Sequence, residues 1–330
     1  MFWASYLLAV LAVILAWPVP VLLSRAQWPA RSPFTAMILW QAVGLAGGLS
    51  MIGAMLVYGL EPLGDNLVAG LRGLAAMVLF NAPTTALGFW HLFALSAAAL
   101  LTAHLVFTLL LTYVRIRRQR RRHRELLELL ASPSPERAGT LVISHDSPVA
   151  YCLPGGARSI TVLSDGLVSA LEPAELRAVL SHENAHLSQR HHLLLWAFAA
   201  WRQALPWLPT TLLAQQAVNS LIEMLADDVA LKEVSRTTLI TAIAIVSAGP
   251  ENPDARRPQA LQAGMGASPA GLDQDSATGS FSARTTASRV SRLLEPRPPL
   301  PQSLTAAVLA LSALLLAVPT ALLIVPGLLG

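Results

Sequence analysis

The chain has 330 residues, 54% of them hydrophobic and only 13% charged, against about 25% charged in an ordinary soluble domain. With a mean hydropathy of +0.54 it cannot cover a single soluble globule with polar groups. The net charge of +4 is concentrated, because residues 115–124 hold seven arginines and leave the rest slightly acidic, and the lone Cys152 excludes a disulfide framework or a multi-Cys metal cluster.

Four stretches are long and apolar enough to span a bilayer, which needs about 20 residues. They are residues 2–23, 34–60, 92–114 and 303–325, none with an Asp, Glu, Lys or Arg. The first lacks the basic start and the small-residue cleavage site of a secretory signal. Residues 73–90 carry no charge but are interrupted by Asn81-Ala-Pro83 and Gly88. They read as a re-entrant or surface-lying piece. Arg25 and Arg31 follow the first span, the seven arginines follow the third, and Arg284, Arg289, Arg292 and Arg297 precede the fourth. The positive-inside rule then puts the N-terminus outside, residues 115–302 in the cytoplasm and the C-terminus outside. The arginine run reads as a topology anchor that touches anionic headgroups. With no aromatic residues interleaved, no direct nucleic-acid binding is expected.

The expected fold class is therefore mainly α and polytopic, four transmembrane helices with a cytoplasmic α+β domain between spans three and four. The division is 1–114 for the first three spans, 115–302 for the cytoplasmic domain and 303–330 for the last span. Within that domain, residues 117–130 continue the third span as a helix, and Ser132-Pro-Ser-Pro135 reads as a turn. Short β-type runs follow at 140–144, 149–153 and 159–163. Pro173 suits a first helical position and opens a helix running to about His192. Residues 193–213 hold Trp196, Trp201 and Trp207, but Arg202, Pro206 and Pro209 argue against a span, so the segment reads as an interfacial or core helix. A further helix covers about 215–234. Residues 249–288, rich in Pro, Gly, Ala and Ser, read as a flexible insertion.

The chemistry centres on His182-Glu183-Asn184-Ala185-His186, an H-E-x-x-H pattern on a predicted helix. Histidines at i and i+4 project from one face and can share one zinc ion. Glu183, about 100° around the helix, is placed to take a proton from the attacking water and deliver it to the leaving amine. His192 has the spacing of a third ligand in the longer H-E-x-x-H-x-x-G-x-x-H pattern. That pattern needs a helix-breaking glycine, and Gln189 stands there. An unbroken helix would carry His192 about 15 Å beyond His182, so His191 and His192 read as polar residues at a helix end. Glu223 is the better third ligand. Asp227, four residues on, shares its face and can orient a ligand imidazole through the free N–H. A working site requires 193–213 to stay on the same side of the membrane as His182.

At His182–His186 with Arg190-His191, at Glu223-x-x-x-Asp227, at Ala150-Tyr-Cys-Leu-Pro-Gly-Gly and at Ile160-Thr-Val-Leu-Ser-Asp-Gly-Leu, the sequence resembles the BlaR/MecR-type integral membrane zinc metallopeptidases. The layout of three spans before the protease segment and one after is also similar. The resemblance implies a gluzincin-type protease that cleaves a cytoplasmic transcriptional repressor in response to an external signal, with His182, His186 and Glu223 as ligands of one Zn2+ and Glu183 as base. It also implies that substrate lies as an added strand along the small sheet. The antibiotic receptors of that family carry a large extracellular penicillin-binding domain after the last span. Here Gly330 follows the fourth span directly, so direct β-lactam binding is not expected.

Two other readings stay open. One is a membrane quality-control protease of the HtpX type, which shares the H-E-x-x-H and E-x-x-x-D elements. The other is a non-catalytic sensor or scaffold with a structural zinc, against which the intact Glu183 argues. Cys152 reads as a packed small hydrophobe rather than a thiolate masking the zinc. His104, in the third span, reads as a proton-sensitive or an interhelical hydrogen-bonding group. With Lys232 the only lysine, and Ala, Leu and Pro abundant, the composition suggests a GC-rich bacterial genome and an inner-membrane location.

Overall fold

Apolar runs free of charges become long helices, and the chain is mainly helical. The computed structural model describes residues 2–80, 87–134, 139–153, 159–248 and 275–324. In chain order the helices are α1 (Phe2–Ala16), α2 (Pro18–Arg25), α3 (Pro33–Leu60), α4 (Leu67–Phe80) and α5 (Phe89–Leu130). Four strands follow, β1 (Ala131–Pro133), β2 (Thr140–Ile143), β3 (Ala150–Leu153) and β4 (Ile160–Ser164). Then come α6 (Asp165–Ala170), α7 (Pro173–Ser188), α8 (His191–Ala204), α9 (Pro209–Ala230), α10 (Arg236–Ala248), α11 (Asp275–Leu294) and α12 (Gln302–Ile324). Four helical stretches are long and apolar enough to cross a membrane, Trp3–Arg25, Pro33–Leu63, Phe89–Leu130 and Gln302–Ile324.

The expected elements shift in several places. The first apolar stretch is two helices, because Pro18 opens a new helix after the break at Trp17. The third is one 42-residue helix that continues to Leu130. α4 has 14 residues, about 21 Å, which is shorter than a bilayer core. Residues 81–86, on which the re-entrant reading turned, lie outside the described residues. Ser132 and Pro133, which open the expected turn at 132–135, pair instead with β2 in the strand Ala131–Pro133. Pro is tolerated there because β1 is an edge strand. The stretch 193–213 is divided between α8 and α9, with a break before Pro209. The expected flexible insertion is corrected over 275–288, which belong to α11. Residues 249–274, the rest of it, lie outside the described residues.

The chain packs as two compact units, Met1–Leu110 with Ala200–Val218 and Leu300–Gly330, and Leu111–Ala199 with Asn219–Pro299. In the first, α1, α3 and α12 meet through Ala4, Leu8, Ala54, Val57, Leu322 and Leu323. Gly44 on α3 is required by a close approach: a Cβ there would stand 2.8 Å from the Trp201 ring. Trp3, Val13, Leu100 and Phe107 are turned outward, as lipid-facing side chains are. The segment 200–218 is tied in by hydrogen bonds from Thr210 Oγ1 to the Leu15 and Ala16 carbonyls. His104 also reaches the Ala204 carbonyl, at 3.0 Å.

The second unit is built on a four-stranded sheet of order β1-β2-β4-β3. β2 and β4 are parallel, and β3 pairs antiparallel with β4 at the opposite edge from β1. One apolar layer joins Leu127 of α5 to Tyr151, Leu153 and Val162. The other joins Leu163 and Leu167 to Leu176 and Val179 of α7, Leu239 and Ile243 of α10 and Leu293 of α11. The β4–α6 junction explains the Leu163-Ser-Asp-Gly166 run. The fully buried Ser164 hydroxyl donates to the Ser147 carbonyl at 2.7 Å and accepts from the Val149 and Leu167 N–H groups at 2.9 and 3.1 Å. Any Cβ on Gly166 would lie 2.0 Å from the Asp146 carbonyl oxygen, so only glycine fits. This junction fixes the turn that leads into β3.

Candidate metal centre

α7 begins with Pro173 at its first position, where the missing N–H is no loss. The Glu175 carboxylate accepts from the Glu172 N–H at 2.9 Å. Leu176, Ala178, Val179, His182 and Ala185 face the interior. His182 and His186 thus share one side of the helix, with their Nε2 atoms 3.3 Å apart. α9 brings Glu223 against both: its Oε2 is 3.3 Å from His182 Nε2 and its Oε1 is 3.5 Å from His186 Nε2. One donor atom from each of the three lies within 4.8 Å of the others, and His192 contributes none.

Behind His182, Asp227 accepts from the Nδ1–H at 3.0 Å and is 1% exposed. Arg289 of α11 grips Asp227 with two bonds, Nε to Oδ2 at 2.8 Å and Nη2 to Oδ1 at 2.7 Å, and reaches Glu223 Oε2 with Nη1 at 3.1 Å. Arg292 makes a parallel ion pair with Asp228 at 2.8 Å. Behind His186 stands His191, 1% exposed, with the two Nδ1 atoms 3.1 Å apart. The expected helix to His192 ends instead at Ser188. Gln189 caps it and Arg190 adopts a positive φ of 52°, so the chain reverses and α8 starts at His191. The helix break occurs without the glycine thought necessary, and it seats His191 rather than His192.

Arg289 and His191 were the residues sequence reasoning missed. Arg289 had been counted with its neighbours as a topology signal, and nothing in α11's pattern set it apart. His191 did carry a signal, its place directly after a polar Gln189-Arg190 pair, but the turn was not foreseen.

The charges follow from burial and pairing. Burial alone would lower the His182 imidazole, but its hydrogen bonds to Asp227 and Glu223 outweigh that and hold it at about 9. Burial lowers His186 and His191 to about 4, leaving both rings neutral. Glu223 stays well below the usual carboxylate range despite burial, through the hydrogen bond and charge of His182 and the charges of His186 and Arg289. Burial lifts Glu183 to about 7, with His182 pulling the other way and Glu223 pushing with it. Its carboxylate also accepts a backbone hydrogen bond from Cys152 on β3. Cys152 is buried with Sγ 3.3 Å from Thr161 Oγ1. Burial pushes its thiol up to about 11, so it is no thiolate donor at neutral pH.

Two neutral-capable imidazoles and an ionised carboxylate, all aimed at one point, are the donor set of a divalent cation of zinc's type.

Residues 116–249 match the model of Peptidase family M48. The M48 match supports a metallopeptidase, and M48 peptidases are typically zinc-dependent. It spans less than half of the chain and contains His182, Glu183, His186, Glu223 and Asp227. Arg289 lies beyond the M48 segment. No curated protein and no solved structure matched the chain.

Proposed function

We propose that this chain is a membrane-anchored zinc endopeptidase whose site faces the cytoplasm and whose substrate is a DNA-binding repressor. The observation that carries the peptidase reading is the convergence of His182, His186 and Glu223 within 4.8 Å, with Glu183 next to His182 and lifted to about 7. A zinc ion held by those three side chains would polarise the scissile carbonyl and acidify the attacking water. Glu183 then does the proton work. A carboxyl poised near neutrality takes a proton from water and returns it to the leaving amine. Asp227 holds the His182 ring in place through Nδ1.

β3 is the edge strand beside this machinery. Ser164 N–H bonds to the Val149 carbonyl, so in the antiparallel β3–β4 ladder the backbone groups of Ala150 and the carbonyl of Cys152 point away from β4, while the Cys152 N–H is taken by Glu183. An extended substrate segment can pair there as an added strand. The seven arginines at 115–124 support the cytoplasmic side through the positive-inside rule. The repressor reading rests on the resemblance to BlaR/MecR-type peptidases. Strand addition reads mainly backbone, which favours a second reading, a quality-control protease with many substrates.

The test is a comparison of cytoplasmic N-terminal peptides, by mass spectrometry, in cells carrying the wild type and Glu183→Gln. One Glu183-dependent cleavage in a DNA-binding protein supports the regulator, and many cleavages in misfolded membrane proteins support the second reading. If no peptide depends on Glu183, the endopeptidase assignment fails.

A further inference from the structure

Among the described residues, no carboxylate backs His186 at Nδ1. Its Nδ1 faces His191 Nδ1 at 3.1 Å, and His191 Nε2 faces Gln189 Oε1 at 2.9 Å. With Gln189 presenting its Oε1 and both rings neutral, these three groups permit one consistent set of protons. A carbonyl oxygen only accepts, so His191 Nε2 carries the hydrogen. A neutral imidazole has one N–H, so His191 Nδ1 is an acceptor, and His186 Nδ1 must be the donor. His186 Nε2, the atom turned towards His182 and Glu223, is then left with its lone pair free.

From this we infer that Gln189 and His191 form a tautomer lock that keeps His186 in its metal-binding form, with His191 a positioning residue. The inference rests on the zinc-site reading of His182, His186 and Glu223. The direction of the chain matters. Were Gln189 to present its amide N–H instead, each ring would flip its proton, and His186 Nε2–H would face the ion. The lock is local to the sequence: α7 ends at Ser188, Gln189 caps it, and the positive φ of Arg190 turns His191 back. The His191 ring lies 5.1 Å from that of His186 at 79° and is 1% exposed, so water does not replace it.

The test is zinc affinity, measured on the full-length purified protein by competition with a chromophoric chelator. His191→Leu keeps bulk but removes both nitrogens and should weaken zinc binding by about 10–100-fold. His191→Asn places a carbonyl oxygen where Nδ1 accepted and should recover most of that loss, which a purely space-filling role for His191 would not predict. Gln189→Ala, at an exposed position, should weaken binding by a smaller factor of about three to ten, and it carries the test if His191→Leu does not fold. Equal zinc affinity in Gln189→Ala and wild type overturns the lock, as does an Asn variant no better than Leu. Glu223→Ala is the control. If it binds zinc like the wild type, the zinc-site reading itself is wrong; if it loses zinc while the Gln189 and His191 variants do not, only the lock is.

Discussion

The two imidazoles of the candidate centre are oriented alike by opposite means. His182 is backed by charge: a buried carboxylate, Asp227, itself held by a two-bond grip from Arg289. His186 is backed by neutral groups, His191 and Gln189. The charged flank is assembled from residues 45 and 107 positions away from His182, the neutral flank from residues three and five positions beyond His186. A long-range flank must be bound by strong interactions, because it has to hold α9 and α11 as well as a ring. A local flank needs only a turn. The comparison teaches that one candidate metal site can depend on tertiary structure through one histidine and on backbone geometry through the other.

The largest expected effect is from breaking the charged flank. Asp227→Ala removes the acceptor of His182 Nδ1–H and takes from Arg289, which is 14% exposed, its two-bond partner, leaving it Glu223. Removing one partner of a buried pair costs about 3–5 kcal/mol, and zinc affinity should fall about 100-fold. Chelator competition and thermal unfolding of the metal-free protein measure both. A variant within threefold of wild type on zinc would show that charge does not hold His182.

Arg289→Met should be milder, about 2 kcal/mol, because Asp227 and Glu223 keep His182 as a partner. Its signature is in the linkage. With the guanidinium gone, the two carboxylates lean harder on a bound cation, so zinc should raise the thermal midpoint of this variant more than that of the wild type. Equal zinc-induced shifts would mean that Arg289 does not balance those acids.

The smallest effect concerns Cys152, next to Glu183 on the strand beside the site. A thiol lifted to about 11 stays protonated below that value, and thiolate appears only as pH rises towards it. Cys152 in the folded protein should resist iodoacetamide at pH 8 and react on denaturation. Rapid labelling of the native protein, read by mass spectrometry, would contradict the buried, neutral strand drawn here.

Much of the fold was legible because it depends on composition and period. The four apolar stretches are helical and long enough to cross a membrane, and α5 continues past its arginines to Leu130, as expected for residues 117–130. The H-E-x-x-H spacing and the i, i+4 pair at 223 and 227 already placed side chains on helix faces. What was hidden has a common cause. α11 reads as a polar, Ser- and Thr-rich stretch with weak propensity, and its helix is held by Val290 and Leu293 in the core and by Arg289 and Arg292 in ion pairs. Counting charges treats every arginine alike, whereas burial separates Arg289 from Arg284. β1 was hidden by Pro133, which signals a turn unless the strand sits at an edge.

The positive φ of Arg190 has a wider consequence. A left-handed residue other than glycine costs about 1–2 kcal/mol, and the chain carries that cost at a position whose side chain is exposed. Selection at residue 190 would therefore act on handedness rather than on chemistry. Asparagine or glycine could stand there without disturbing the neighbouring rings, while a β-branched side chain could not. Part of the information that shapes this site is written in one peptide unit's sense of rotation, where a comparison of side chains alone would never find it.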